Sequence, residues 1–261
     1  MTVNTISSFL RRQESRDFSS LNCHVLRAKN ARPLPSQGPR SGVFVAMTIA
    51  VVLAGCNDIS ITFGDMADSV KGSGVSASET RSVANFTSIE ASGVGKLNVR
   101  VGDGESLRIT ADNNLLPLIK SEVRDGVLIL SSKSGFKSKN EITYEVSAKT
   151  IKRLENSGTV SIDAKGFTGG ELAVETSGVG SITLAGRVDS LNAGLSGVGS
   201  LDAEELVADR VKTSLSGVGS ASVRAEKSIS GSVSGVGSLT WKGAATDVST
   251  NVSGIGRVSK G

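Results

Sequence analysis

A serine-glycine motif recurs through the second half of the chain at nearly constant spacing. Counted from "SGTV", the motif serines fall at Ser157, Ser177, Ser196, Ser216, Ser234 and Ser253, in steps of 20, 19, 20, 18 and 19 residues. A period this regular marks a repeat architecture, in which each unit buries its apolar face only against its neighbours. Aligned on the serine, the sixth position reads Ile162, Ile182, Leu201, Ala221, Leu239 and Val258. Two residues on stand Ala164, Leu184, Ala203, Val223 and Trp241, and just before the motif stand Thr176, Leu195, Leu215, Val233 and Val252. Polar Asp163, Thr183, Asp202, Ser222 and Thr240 separate the first two columns. Apolar and polar positions therefore alternate with period 2, as in a strand with one buried face.

A unit of 18 to 20 residues is too short to build its own core. Parallel strands stacked one coil apart, about 4.8 Å from each other, solve the problem by placing Ile182 over Leu201 and Leu184 over Ala203. The expected fold is all-β: a single-stranded parallel β-helix, or β-solenoid, with coils of about 19 residues. Strand twist makes right-handed winding the default. An antiparallel meander would not require identical corners at equal intervals.

The full "SGVG" occurs at Ser92, Ser177, Ser196, Ser216 and Ser234, with "SGIG" at Ser253. Its glycine pairs are Gly93 and Gly95, Gly178 and Gly180, Gly197 and Gly199, Gly217 and Gly219, Gly235 and Gly237, and Gly254 and Gly256. Glycine accepts positive φ and lets backbone pack on backbone, so the motif reads as a chain corner. The central column of Thr159, Val179, Val198, Val218, Val236 and Ile255 is expected to point into the core, with the serines hydrogen-bonding along the stack. A phosphate-cradle reading fails on chemistry: in "SGVGKL", Leu97 stands where a magnesium-binding Ser or Thr is needed, and Glu90 stands where the first glycine is needed. Calcium-binding nonapeptides need an aspartate after the glycines, where this chain has Ser, Lys or Arg. No cofactor and no metal site is expected.

The Ser92 copy lies 65 residues before Ser157, outside the regular run. It marks an earlier coil followed by a less regular segment, the first place to look for function. Within that segment, Asp125-Gly126 between two apolar runs predicts a two-residue hairpin, and "NNLLPLIKSEV" allows at most one helical turn.

Upstream, residues 43 to 54 form an uncharged run of twelve that follows Arg40 and ends in Gly55-Cys56. That length is too short to span a bilayer and suits a signal-peptide h-region. "LAGC" resembles a bacterial lipobox, in which the peptidase cuts before the cysteine and its thiol carries a diacylglycerol. Residues 1–55 are thus expected to be a leader with a lipoprotein signal peptide, whose long basic start leaves the true initiation site open. Residues 56–80 are read as lipidated Cys56 and a polar tether, with Asn57 as an outer-membrane sorting signal. Residues 81–258 are read as the solenoid domain, less regular over 81–156 and regular over 157–258. Residues 1–56 hold 7 of the 29 basic and 2 of the 25 acidic residues, leaving 22 and 23 and a net charge near −1. Nucleic acid is therefore not an expected partner. The single histidine, His24, and Cys23 also lie in the leader, so the mature chain has no means to build an imidazole triad, a common zinc site or a disulfide framework.

The first half, "RSVANFTSIEASGVGKLNVRVGDGESLRITADNNLLPLIKSEVRDGVLIL", and the tandem "SGVGS" corners ending "SLTWKGAATDVSTNVSGIGRV" resemble the family described as "Putative auto-transporter adhesin, head GIN domain". The resemblance covers residues 81 to 258 and implies a β-helical fold and an envelope location. Members commonly carry a polar residue between the glycines, where this chain has valine. The family has no established catalytic or ligand residues to carry over.

Three functions fit. The first is a lipid-anchored, non-enzymatic envelope module for adhesion or scaffolding, binding an envelope or extracellular protein or glycan and open to homo-oligomerisation through its terminal coils. The second is a carbohydrate-binding or polysaccharide-active β-helix protein, for which "DAEELVADR", Asp202 to Arg210, is the densest carboxylate group and Tyr144 and Trp241 are candidate sugar-stacking rings. Trp241, in an inward column, reads better as a cap on the last coils. The third is a regulatory partner in envelope-stress sensing.

Overall fold

A computed structural model describes residues 69–261 apart from Asp103 and Ser134. Cys56, Asn57 and the leader lie outside the described residues. The chain is a β-solenoid of about five turns, as the repeat requires.

The strands of the N-terminal part are β1 (Val70–Lys71), β2 (Ser76–Arg81), β3 (Ser88–Ala91), β4 (Val94–Val101), β5 (Ser106–Asp112), β6 (Ile119–Arg124), β7 (Val127–Ser132), β8 (Phe136–Lys137) and β9 (Thr143–Ala148). The repeats contribute β10 (Arg153–Asn156), β11 (Thr159–Thr168), β12 (Glu171–Thr176), β13 (Val179–Leu195), β14 (Val198–Leu215) and β15 (Val218–Val233). The last coils are β16 (Val236–Lys242), β17 (Asp247–Val252) and β18 (Ile255–Lys260).

Each coil contributes two parallel runs. One wall stacks β4, β11, the first halves of β13 to β15, β16 and β18. The other stacks β7, β3, β10, β12, the second halves of β13 to β15 and β17. The predicted ladders are in register: Ile162 pairs with Ile182, Ile182 with Leu201, Leu201 with Ala221, and Ala221 with Leu239. Those side chains are buried, as are Leu184, Ala203 and Val223 in the next column. The core is thus a stack of aliphatic rungs closed between two walls.

The 65 residues between Ser92 and Ser157 do not separate their coils. Val94 pairs directly with Thr159, so the Ser92 corner is the adjacent rung. The intervening chain builds antiparallel additions at the solenoid's N-terminal end: β9 lies parallel to β4, β5 returns antiparallel on β9, and β2 closes on β5. Residues 76–80, read from composition as tether, are therefore part of strand β2. Their alternation is weak because this edge is mostly exposed. β6 and β7 form the predicted hairpin, with Asp125 at φ 51° and Gly126 at φ 77°. A 3-10 turn over Leu116–Leu118 is the one helical turn that Pro117 allows.

Candidate functional site: the corner ladder

The two corners of each coil differ in kind. At one, "SGVG" connects the walls with a repeated hydrogen-bond pattern: Ser216 N–H and Gly217 N–H both donate to Leu195 O, at 2.8 and 3.2 Å, and Val218 N–H donates to Gly197 O at 3.0 Å. The same triplet recurs at the Ser196, Ser234 and Ser253 corners. Ser196 Oγ donates to Thr176 O at 3.1 Å, while Ser92 and Ser234 Oγ approach the equivalent carbonyls at 3.3 and 3.4 Å. Three of the first-position serines, Ser92, Ser196 and Ser234, thus bond along the stack through their hydroxyls.

The valines do not point inward. Val94, Val179, Val198, Val218 and Val236 are 48–53% exposed, and Ile255 is 78% exposed. The expectation of a core-facing column fails because period-2 alternation runs unbroken through the corner. Thr176 and Ile182 are buried, Ser177 and Val179 are exposed, and Gly178 and Gly180 take the positions between. Val179 and Ile182, an odd number of residues apart, face opposite ways. The glycines occupy positions where no side chain fits: a Cβ built on Gly197 overlaps the carbonyl oxygen of Gly178, and one on Gly199 overlaps that of Gly180. Gly199 also has φ 154°. Each is followed one coil later by an identical clash, Gly217 on Gly197 and Gly219 on Gly199. Glycine is required by close backbone approach, and valine is displayed by it.

The result is a surface ladder of seven rungs: Val94, Thr159, Val179, Val198, Val218, Val236 and Ile255, each paired in register with the next. It is about 29 Å long at about 4.8 Å per rung. The tetrapeptides from Ser157 to Val236 carry no charged residue. Thr159 is the exception in kind, followed by buried Val160 rather than glycine. There Asn156, fully buried, takes up the polar groups of the corner: its amide donates to Val160 O at 3.0 Å, and its carbonyl oxygen accepts from Gly158 N–H at 3.1 Å. Sequence reading passed over Asn156 because Leu195, Leu215, Val233 and Val252 make most of its column apolar.

The opposite corner is charged. Asp209 accepts from Arg187 at 2.9 Å and from Lys227 at 2.8 Å, Lys242 pairs with Glu204, and Arg224 pairs with Glu226 at 2.9 Å. The Lys227 bond, followed by the charges of Lys227, Arg187 and Arg210, holds the Asp209 carboxyl below the ordinary range. Differences in coil length are absorbed here, as register shifts between Thr183 and Ala185 and between Ala203 and Val207. Within "DAEELVADR", Ala203, Leu206 and Ala208 are buried while Glu204 and Asp209 are ion-paired. These carboxylates have the environment of structural charge pairs, not of a poised acid and base.

Both candidate sugar-stacking rings are interior. Tyr144 is buried beneath the Gly93 corner, and burial pushes its hydroxyl up to about 12, the charge of Arg81 opposing. Trp241 is buried under the last rung, with the Lys260 ammonium 4.7 Å from its ring centroid. Among the described residues, no group of three His, Cys, Asp or Glu is placed to share a metal ion, and no helix is long and apolar enough to cross a membrane.

The described residues thus form a β-solenoid with one regular corner that is exposed and uncharged from Ser157 to Val236. The chain belongs to the family described as "Putative auto-transporter adhesin, head GIN domain", which matches residues 85–245. A solved "putative adhesin" from Bacteroides fragilis is similar at 25% identity and a TM-score of 0.61, over 73% of this chain and 99% of that one. A "putative adhesin" from Parabacteroides merdae is 20% identical, with a TM-score of 0.47 over 75% and 100%. A "putative lipid binding protein" from Parabacteroides distasonis is 19% identical, with a TM-score of 0.46 over 74% and 100%. No curated protein matches the chain.

Proposed function

We propose that this chain is a non-catalytic adhesion or scaffolding module of the bacterial cell envelope, held at the outer membrane by a diacylglycerol on Cys56 with Asn57 as its sorting residue. The observation that carries the reading is the corner ladder: an exposed apolar strip on a fold whose other corner is covered by paired charges. Contiguous exposed apolar surface marks contact sites. Membership of an adhesin-described family supports the same reading. The non-catalytic part rests on carboxylates engaged in ion pairs and on a sequence whose single histidine precedes Cys56.

Two measurements on the full chain test it. Metabolic palmitate labelling is expected for the wild type and lost in Cys56→Ser; equal labelling of the two refutes the anchor. A glycan and matrix-protein array is expected to show binding that Val179→Asp and Val218→Asp weaken. Turnover of an arrayed polysaccharide would overturn the non-catalytic assignment.

A further inference from the structure

We propose that the outer face of β4 and its neighbours holds a binding site for an acidic saccharide, whose carboxylate sits between Arg100 and Lys165. The site is a recess of about 890 Å³ lined by side chains of β5, β9, β4 and β11. It lies where the antiparallel additions join the regular coils, and it uses no part of the corner ladder. Strand register sets its polar side chains in two rows. Arg108, Glu145, Asn98 and Asp163 form one, and Ser147, Arg100 and Lys165 form the other, on adjacent strands in each case. Neighbours within a row are about 4.8 Å apart, and the rows are about 7 Å apart, two residues along a strand. Gly166 follows the second row: a Cβ there would overlap Val101 O, so this end of the recess stays free of side chains.

The charges in the recess are not balanced by the fold. Arg100 and Lys165 are direct cross-strand neighbours on one face, and like charges so placed repel. Asp163 lies 3.4 Å from Lys165 and Glu145 lies 3.9 Å from Arg108, but among the described residues no carboxylate pairs with Arg100. An oxyanion between Arg100 and Lys165 offsets their repulsion and makes charge-assisted hydrogen bonds with both. In the next coil the positions of Asp163 and Lys165 are Thr183 and Ala185, so the paired cations do not recur there.

Glu145 restricts the ligand further. Its side chain is 58% exposed and its carboxylate only accepts, so a fitting ligand brings hydrogen-bond donors as well as negative charge. Sulfate has no donor at neutral pH. A uronic acid sugar has both, with a carboxylate for Arg100 and Lys165 and ring hydroxyls that donate to Glu145 and accept from the Asn98 amide. An added peptide strand does not fit, because β5, β9, β4 and β11 are each paired on both sides and leave no main-chain edge at the recess.

Isothermal titration calorimetry on the full chain in mild detergent tests the site with short oligomers of galacturonate, mannuronate and glucuronate, the methyl ester of each, and tetraglutamate. At least one uronate is expected to bind with a dissociation constant below about 1 mM. Its methyl ester keeps the hydroxyls without the charge, tetraglutamate keeps the charge without the sugar, and each is expected to bind at least about tenfold more weakly. Arg100→Gln is expected to weaken the uronate at least about tenfold, the scale of one hydrogen bond to a charged group. Arg210→Gln makes the same charge change on the opposite wall and is expected to leave binding within about twofold. Both arginines are exposed, so the fold should be kept, as circular dichroism checks. Equal losses in the two variants would assign binding to net charge and overturn the site. Tetraglutamate or a methyl ester bound as tightly as the uronate overturns the acidic sugar as ligand, and no binding of any uronate at about 1 mM overturns the proposal. Val179→Asp and Val218→Asp bear on the corner ladder alone, so the two readings fail separately.

Discussion

At the corner, three neighbouring residues have different tolerances for reasons that can be separated. Gly197 has no room for a Cβ because the Gly178 carbonyl occupies it, Gly199 adds a positive φ, and Val198 between them faces solvent. Gly197→Ala must push two coils apart and is expected to cost about 1–3 kcal/mol, the scale of local backbone strain. Val198→Ser removes only exposed apolar surface and is expected to stay within about 0.5 kcal/mol of wild type. Urea unfolding of both variants checks the pair, and a more harmful Val198→Ser would mean that the valine packs inside. The outward valine was legible in the sequence, since counting by two from Ile182 passes through Gly180 and Gly178 and never reaches Val179. Hydrophobicity pointed the other way. What sequence could not supply was the separation of the backbones, which makes glycine compulsory on the inner side.

At the scale of elements, the repeat predicted its own strands because every coil solves one packing problem in the same way. Ile182, Leu201, Ala221 and Leu239 fell into register as a column of the alignment. The N-terminal additions were less legible, for no repeat constrains them. β2 is a polar edge strand, "SASETR", whose pairing with β5 is decided by the partner rather than by its own pattern. The lysine-rich "SSKSGFKSKNE" has the composition of an exposed basic loop, yet its second half is tied down by Asp112, a fully buried carboxylate. Asp112 accepts from Lys139 N–H at 2.9 Å and from the Asn140 amide, with Ser138 Oγ at 3.1 Å. The Lys139 bond holds its carboxyl below the ordinary range; burial opposes this, and the Asn140 and Ser138 side chains reinforce it. A depressed carboxyl contributes stability that is present above its unfolded value of about 3.9 and is lost as pH falls through the folded one. The wild type is therefore expected to exceed Asp112→Asn in urea midpoint at neutral pH, and the gap to close on acidification below about pH 4. A gap independent of pH would show that the carboxylate's charge is not what holds the loop.

For the whole molecule, a single decision about chain path accounts for both the core and the surface. Two walls of parallel strands enclose aliphatic rungs, one corner absorbs variation in coil length under paired charges, and the other is kept invariant by glycine and shows its valines to solvent. The adhesion or scaffolding proposal depends on that last feature. Its most direct test is the maleimide labelling rate of single cysteines placed along two columns of the folded full chain, above the background of Cys23 and Cys56. Val179→Cys, Val198→Cys and Val218→Cys are expected to label rapidly under native conditions, while Ile182→Cys, Leu201→Cys and Ala221→Cys label only on unfolding. Protection of the first set, or equal rates in both, would contradict the outward ladder and the register on which the solenoid is built.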